Sequence, residues 1–581
     1  MENQETIKNE TREQRLYRQS KEGKIFNNLY KMIISRENII LAFKNLKSNQ
    51  GSKTPGCDGK TIKDLECLEM DEIVNLVRNK LKDYKPNKVK RVYIPKANGD
   101  MRPLGIPCIE DRLIQMTILQ ILEPICEAKF DDRSYGFRPH RNAHQAIGLV
   151  QKIVILGENY YCVDVDIKGF FDNVNHTHLM SSIWSIGIRD KKIISIIKKI
   201  LHSEIENEGI PEKGVPQGGI ISPLLANIYL NELDHWIRDQ WETFETKTKY
   251  SSNHKKFESL RRRKLKEQWY VRYADDFKIF TKDYESAVKI KIAVIEWLKL
   301  RLKLEVSEEK TKITNLKKQS TDFLGFNIKV SPNKSENPNT DKMQLSIRIS
   351  RKSLNRINQE FRRLLKKLPQ KPIKLHAQEF NSYVRGVQNY YKIAGLTGKE
   401  FSKLQIIFDK KMEKYHSFGY VKPIQKKDIK DISYLKTYNQ YNYKTYEIDG
   451  LILNPIAGVT GTYIRPVLKD NFNPYEEETK TYPPLIINGP GSGLYYSNRI
   501  GKWFQQKGKC YVTGENLIDG NCHHKIPKQY GGTDEYDNLI WISKEIHIQL
   551  HKRNKEFANI LKGKAQIRYL ELLQTIEENI K

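Results

Sequence analysis

Two short apolar and aromatic runs, Trp269-Tyr270-Val271 and Phe277-Lys278-Ile279-Phe280, flank the polar stretch that contains Tyr273-Ala274-Asp275-Asp276. The pattern predicts two short buried strands joined by a turn at the acids. Within 159–176, alternation puts Cys162, Asp164 and Asp166 on one strand face and Val163 and Val165 on the other. Residues 91–107 read as strand, a turn at Asn98-Gly99-Asp100, and strand, which is a hairpin. Helices are predicted through about Leu81, from Asp111 to about Lys129, from Leu224 to Leu233 and from Tyr284 to Leu302. Over 345–368, Leu354, Ile357, Phe361, Leu364, Leu365 and Leu368 recur at helical spacing opposite a face of Arg351, Lys352, Arg362, Arg363, Lys366 and Lys367. The first 48 residues look helical, with Leu16, Ile25, Leu29 and Ile33 expected in the core. Glycine-rich loops interrupt these elements at 49–59 and 214–223, and residues 420–500 show no clear periodicity.

Composition changes the picture in one respect. The chain of 581 residues carries 100 Lys plus Arg against 70 Asp plus Glu, a formal charge of +30. That excess calls for a polyanionic partner, with nucleic acid the default. No apolar stretch approaches the roughly 20 residues of a membrane span, so no membrane partner is expected, and no secretory signal is recognisable. The seven cysteines are odd in number and lack any CxxC pair, which fits free thiols in a reducing compartment. Length alone suggests about three or four domains.

Several clusters carry chemistry. Adjacent buried acids such as Asp275 and Asp276 are costly unless a cation lies between them, although a turn that simply faces water would also tolerate them. Asp166, at a strand end near Gly169, is where a metal-binding carboxylate would meet a substrate. Lys96 and Arg102 flank the hairpin turn, placed either to grip one polyphosphate or merely to be solvated. Residues 134–141, with Arg138 and Arg141, are basic and aromatic, a composition that suits base stacking and phosphate neutralisation as well as a plain surface loop. Gly218 and Gly219 would let the backbone approach a ligand closely, or are simple loop structure. Four of the thirteen histidines fall between His523 and His551. His547 and His551 are i, i+4 on one helix face, a spacing at which two imidazoles reach one ion or phosphate.

The order of the blocks GS-TPG-DG, IPK-RPLGIP, SYGFRPHR, DIKGFFD, PQGGIISPLLANIYL, YADD, SEEKT and FLGF over residues 51–326 resembles the reverse transcriptases encoded by group II introns. The resemblance implies a multidomain α+β protein, a right-hand polymerase with fingers and an antiparallel palm sheet. It implies that Asp166 and Asp275 hold two magnesium ions, with Asp276 a less direct ligand. Lys96 and Arg102 would grip the triphosphate, Phe171 would exclude a ribose 2′-OH, and Gln217 would line the nucleotide pocket. The segment around 345–391 resembles the family's helical thumb, or X domain. There Arg351, Arg362, Arg363, Lys366 and Lys367 would meet intron RNA and support splicing.

The pattern HH, GG-D, NL, H over 523–551 resembles the HNH nuclease module, a ββα fold around one divalent ion. On that match His524 is the general base, His523 and His547 hold the metal, His551 assists at the metal or phosphate, and Asn538 fixes the loop. The expected ion is magnesium, manganese or similar; a structural zinc site without cleavage is the other reading of these histidines. The implied layout is 1–85 for an N-terminal extension and first fingers block, 86–335 for fingers and palm, 336–430 for the thumb, 431–500 for a DNA-binding or linker region, and 501–581 for the HNH domain. The implied partners are intron RNA, target DNA and deoxynucleotides, in a bacterial cytoplasm or an organelle. A nick would supply the 3′-OH for target-primed reverse transcription. A reverse transcriptase of retron or CRISPR-associated lineage, or a non-catalytic splicing factor, are the alternatives.

Overall fold

A computed structural model describes residues 10–95, 101–332, 343–395, 397–461, 472–475, 498–499, 502–503, 505–506, 508–515, 517 and 520–579. Lys96, the Asn98-Gly99-Asp100 turn and much of 431–500 lie outside them. In chain order the main elements are α1 (Arg12–Lys21), α2 (Arg36–Ser48), α3 (Met70–Lys82), β1 (Lys90–Pro95), β2 (Met101–Ile106), α4 (Ile109–Glu127), α5 (Ala143–Gln151), β3 (Tyr161–Asp166) and α6 (Ser222–Asp239). They continue with β4 (Trp269–Tyr273), β5 (Asp276–Thr281), α7 (Tyr284–Arg301), β6 (Lys312–Asn315), β7 (Thr321–Phe323), β8 (Phe326–Pro332), β9 (Met343–Ile349), α8 (Arg351–Lys367), α9 (Ile373–Tyr391) and α10 (Thr397–Ser417). Last come β10 (Lys422–Ile424), β11 (Thr445–Ile448), β12 (Leu451–Ile452), β13 (Gly520–His524), β14 (Leu539–Ser543), α11 (Lys544–His551) and α12 (Lys564–Glu578).

These elements fall into two compact units, one of residues 1–130, 169–232 and 473–581, the other of 131–168 and 233–472. In the first unit, α1, α2 and α3 pack on α4. Leu16, Leu29 and Ile33 are buried as expected, whereas Ile25 is 43 % exposed, in the loop that follows the left-handed Gly23 turn after α1. Asn38 holds the layer internally, its amide donating to the carbonyls of Ile33 and Thr117. Strands β1 and β2 form the expected antiparallel hairpin. The C-terminal segment has its own core of Trp503, Val512, Ile540, Trp541, Ile542, Leu550, Tyr569 and Leu573.

The second unit is built on an antiparallel sheet of order β4-β5-β3-β6, with a β7-β8-β9 meander beside it in sequence. The two apolar runs at 269–281 become β4 and β5, continuous runs because both faces of each strand are covered. Residues 345–349 are strand rather than the start of a helix. Leu345 and Ile347 pair with Val330 and Ile328, and Ser350 then caps α8 by accepting from Ser353 N. In α8, Ile357, Phe361, Leu364 and Leu365 are buried against a core shared with Phe380, Phe408, Tyr446 and Ile456. Each such side chain contributes about 1.5–3 kcal/mol by leaving water. That core runs on to Ala457, past the expected thumb boundary at 430. No disulfide joins any of the seven cysteines, and no described helix is long and apolar enough to cross a membrane.

Candidate functional site

The palm acids meet at the end of the central strand pair. Asp166 closes β3 directly opposite Asp276, the first residue of β5, and Tyr273 is the β4 partner of Asp276. The turn between β4 and β5 is therefore only Ala274-Asp275, and Ala274 takes a left-handed φ of 59°. A non-glycine residue there is strained by about 1 kcal/mol or more, and such strain persists only where the surroundings enforce it. Here three groups do so. The Arg272 guanidinium donates from Nη1 to the Ala274 carbonyl at 2.8 Å and from Nε and Nη2 to the two carboxylate oxygens of Asp234 at 2.6 and 2.5 Å. Tyr270 Oη donates to the same carboxylate at 2.7 Å. Gly136 lies against the turn so closely that a Cβ would come 2.3 Å from the Ala274 nitrogen.

Asp166 has its backbone fixed by the loop before β6: its nitrogen donates to Thr311 Oγ1 at 3.3 Å and its carbonyl accepts from Ser307 N at 2.8 Å. Its carboxylate is 44 % exposed and 3.3 Å from the Lys310 ammonium. Asp276 presents one side to solvent and is crowded by protein on the others. Lost hydration above all, then the carboxylates of Asp164, Asp275 and Asp166, push its carboxyl up to about 6 against the pull of Lys278. A carboxyl raised by lost hydration and by three neighbouring carboxylates marks a place where a cation is favoured. These acids do not draw their oxygens into one tight cage. Among the described residues only the histidine cluster below gathers three ligand atoms within 4.8 Å. A few acids completed by substrate oxygens suit magnesium, which keeps part of its shell.

The residues expected to contact the nucleotide lie in the other unit. Arg102 is exposed on β2 opposite Ile94, and Lys96 is outside the described residues. Gln217 is half-buried, and its carbonyl accepts from Gly105 N of β2 at 2.8 Å. Gly218 has φ 123°, and a Cβ would meet the Gly105 carbonyl at 2.6 Å, so this position needs glycine to sit on the hairpin. Phe171 is half-buried in a short helix, Phe170–Asn173, and its carbonyl accepts from Val215 N at 2.7 Å.

The model of the family described as reverse transcriptase (RNA-dependent DNA polymerase) matches residues 94–328. Protein YkfC of Escherichia coli strain K12 is 34% identical over 316 residues, which are 52% of this chain and 82% of that protein. The group II intron-encoded protein LtrA of Lactococcus lactis subsp. cremoris is 35% identical over 363 residues, 55% of this chain and 59% of that protein. The chain belongs to the family of group II intron-encoded reverse transcriptases and maturases. Similarity extends to the nuclear intron maturase 2 of Arabidopsis thaliana, at 29% over 178 residues, 23% of this chain and 24% of that one. The chain thus spans somewhat over half the length of the Lactococcus protein.

In loop 134–141 the structure places the two expected nucleic-acid contacts, Arg138 and Arg141, against the loop's own backbone. Arg138 is 7 % exposed, with Nη1 donating to the Asp131 and Ser134 carbonyls. Arg141 donates to the Asp132 carbonyl and carboxylate. Both brace their own loop through its carbonyls and the Asp132 carboxylate. The backbone of the loop pairs with Arg272 instead, Tyr135 N to Arg272 O and Arg272 N to Arg133 O, each at 2.9 Å. On α8, Arg351, Arg362, Arg363 and Lys366 are exposed, while Lys367 is half-buried. Arg363 and Lys367 share Glu379, and Arg362 donates to Asn358.

The histidine segment lies outside the reverse transcriptase match. Strands β13 and β14 pair antiparallel and lead into α11, a ββα arrangement. It brings His523, His547 and His551 together, each offering a ring nitrogen within 4.8 Å of the others. His523 is 3 % exposed, and its Nε2 is buried without a hydrogen-bond partner. Burial first, then the neighbouring imidazoles, lower His523 to about 3 and His547 to about 4. Neutral imidazoles with an orphaned nitrogen fit a metal ion, and three nitrogen donors suit zinc or another first-row ion better than magnesium. His524 points elsewhere, its Nε2 2.9 Å from Asp534 Oδ1, with Lys528 Nζ 2.7 Å from Oδ2. Asn538 spans the loop, accepting from Ile526 N at 2.9 Å and donating to the carbonyls of Ile526 and Thr533. Asp534 was visible as the acid of the GG-D pattern, but nothing local linked it to His524.

Proposed function

We propose that this chain copies RNA into DNA, assists the splicing of a group II intron RNA, and nicks target DNA to obtain the primer for that copying. The observation that carries the polymerase reading is the register that sets Asp166 against Asp276, beside a two-residue turn presenting Asp275. Asp166 and Asp275, with Asp276, would hold two magnesium ions, which lower the pKa of a primer 3′-OH and neutralise charge on the triphosphate and pyrophosphate. Arg102, with Lys96, orients the triphosphate. Phe171 excludes a 2′-OH and so selects deoxynucleotides, and Gln217 lines the base pocket. The exposed cations of α8, Arg351, Arg362, Arg363 and Lys366, with Lys367 at its margin, neutralise RNA phosphates.

In the C-terminal module His523, His547 and His551 would hold one divalent ion, zinc-like rather than magnesium-like by donor type. An ion held there would supply Lewis-acid polarisation of a scissile phosphate. His524 takes the proton from water, and Asp534 holds its ring by one nitrogen. Asn538 keeps the intervening loop in shape.

Primer extension on an RNA template decides the polymerase claim: wild type extends and Asp275→Ala does not. Absence of synthesis by wild type, with splicing assistance retained, would leave a non-catalytic splicing factor. Nicking of duplex DNA by wild type but not by His524→Ala decides the nuclease claim, and equal cutting by both would refute it.

A further inference from the structure

One face of the palm sheet carries a charge that the proposed chemistry does not use. Strands β3 and β5 pair so that Asp164 is opposite Lys278 and Asp166 opposite Asp276. Side chains two residues apart share a face, so three acids and one cation form an array on a single surface. Lys278 is 1 % exposed, and its Nζ lies 2.7 Å from Asp164 Oδ2. Thr321 of β7, also buried, places its Oγ1 3.4 Å from both charged groups. The Phe323 ring is 5.3 Å from the ammonium, closing it from water. Lysine is among the residues least often buried, and an ammonium removed from water needs a compensating field. Without that cation Asp164 would add a fourth carboxylate to the group, two residues along the strand from Asp166.

We propose that Lys278 is a positioning residue for the palm carboxylates: a permanent buried counter-charge that keeps Asp164 out of the ligand set and caps the attraction of the site for divalent cations. The proposal rests on the polymerase reading of Asp166, Asp275 and Asp276. A fixed positive charge beside a cation site opposes binding, and a buried one is little screened by salt. A site that exchanges an ion with every nucleotide needs such an upper limit on affinity.

The test uses the full chain carrying His547→Ala, which removes the other cluster that could take up a metal. Two quantities are read: the Mg2+ concentration for half-maximal primer extension, and Mn2+ binding without primer or nucleotide by electron paramagnetic resonance. Lys278→Met should lower both midpoints about three- to tenfold. Asp164→Asn leaves Lys278 unbalanced and should raise them by a similar factor, and the double variant should return to within about twofold of the starting protein. Shifts of the two single variants in the same direction, or no shift, overturn the proposal and leave the pair a purely structural one. If Lys278→Met does not fold, the rise with Asp164→Asn and its reversal in the double variant decide alone. A starting protein that neither extends primers nor binds Mn2+ refutes the polymerase reading itself, whereas an active one with unshifted variants refutes only the role of Lys278.

Discussion

The turn that presents Asp275 depends on an ion pair in the protein interior, and removing one partner is the sharpest test of that dependence. Asp234 is 0 % and Arg272 1 % exposed. Burial disfavours the Arg272 charge, but the Asp234 carboxylate more than offsets it and raises the guanidinium's proton affinity further. Asp234→Ala therefore leaves a charge that can neither reach water nor shed its proton. Breaking a buried pair from one side costs about 3–5 kcal/mol, a large part of the 5–15 kcal/mol that typically holds a domain together. The loss has a second consequence, because Arg272 also holds the carbonyl of the strained Ala274. Asp234→Leu combined with Arg272→Met replaces the pair by apolar groups and should recover most of the stability, but not the grip on the turn. Denaturant unfolding of wild type, Asp234→Leu, Arg272→Met and the double variant, with primer extension measured on each, should give a coupling of about 5 kcal/mol or more and a double variant that is folded yet slow. A coupling below about 0.5 kcal/mol, or a folded double variant that extends like wild type, would refute the view that this pair positions Asp275.

Gly136→Ala should destabilise the protein by about 1–3 kcal/mol and slow extension, because the added methyl must displace the Ala274 backbone, as thermal melting and single-nucleotide incorporation would show. Phe171→Ala should raise ribonucleotide incorporation against deoxynucleotides, and unchanged sugar selection would sink its assignment. In the metal-free C-terminal module, His523 and His547 have folded values near 3 and 4 against 6.5 unfolded. The unfolded chain takes up protons first, so stability should be full above pH 6.5 and fall as the pH drops toward about 4, a slope that a thermal scan at several pH values would detect. Zinc should raise the melting temperature of this module at neutral pH, and His547→Ala should abolish that rise.

The strands and long helices were legible because their periodicity is local: β4 and β5 each declare themselves within about six residues, and α8 by its apolar stripe. The end of β9 was missed because the strong helical stripe from Leu354 onward overshadowed the short alternation of Leu345, Ile347 and Ile349 before it, which pairing with β8 makes plain. Site residues followed a similar rule. Asp166, Asp275 and Asp276 stood out as acids where the pattern demands apolar side chains, but the same oddity marks Asp164 and Asp234, and Lys278 among the cations. What separates the two classes is where the counter-charge comes from. Asp234 has Arg272, 38 residues away, and Asp164 has Lys278 across the sheet. No local pattern shows such pairings, just as none shows that Arg138 and Arg141 serve their own loop's carbonyls. Lost hydration above all, and then the carboxylates of Asp164, Asp275 and Asp166, take Asp276 up to about 6. A fold that neutralises its structural acids internally and leaves the acids at one strand end in excess has set apart the place where an added cation lowers the energy most.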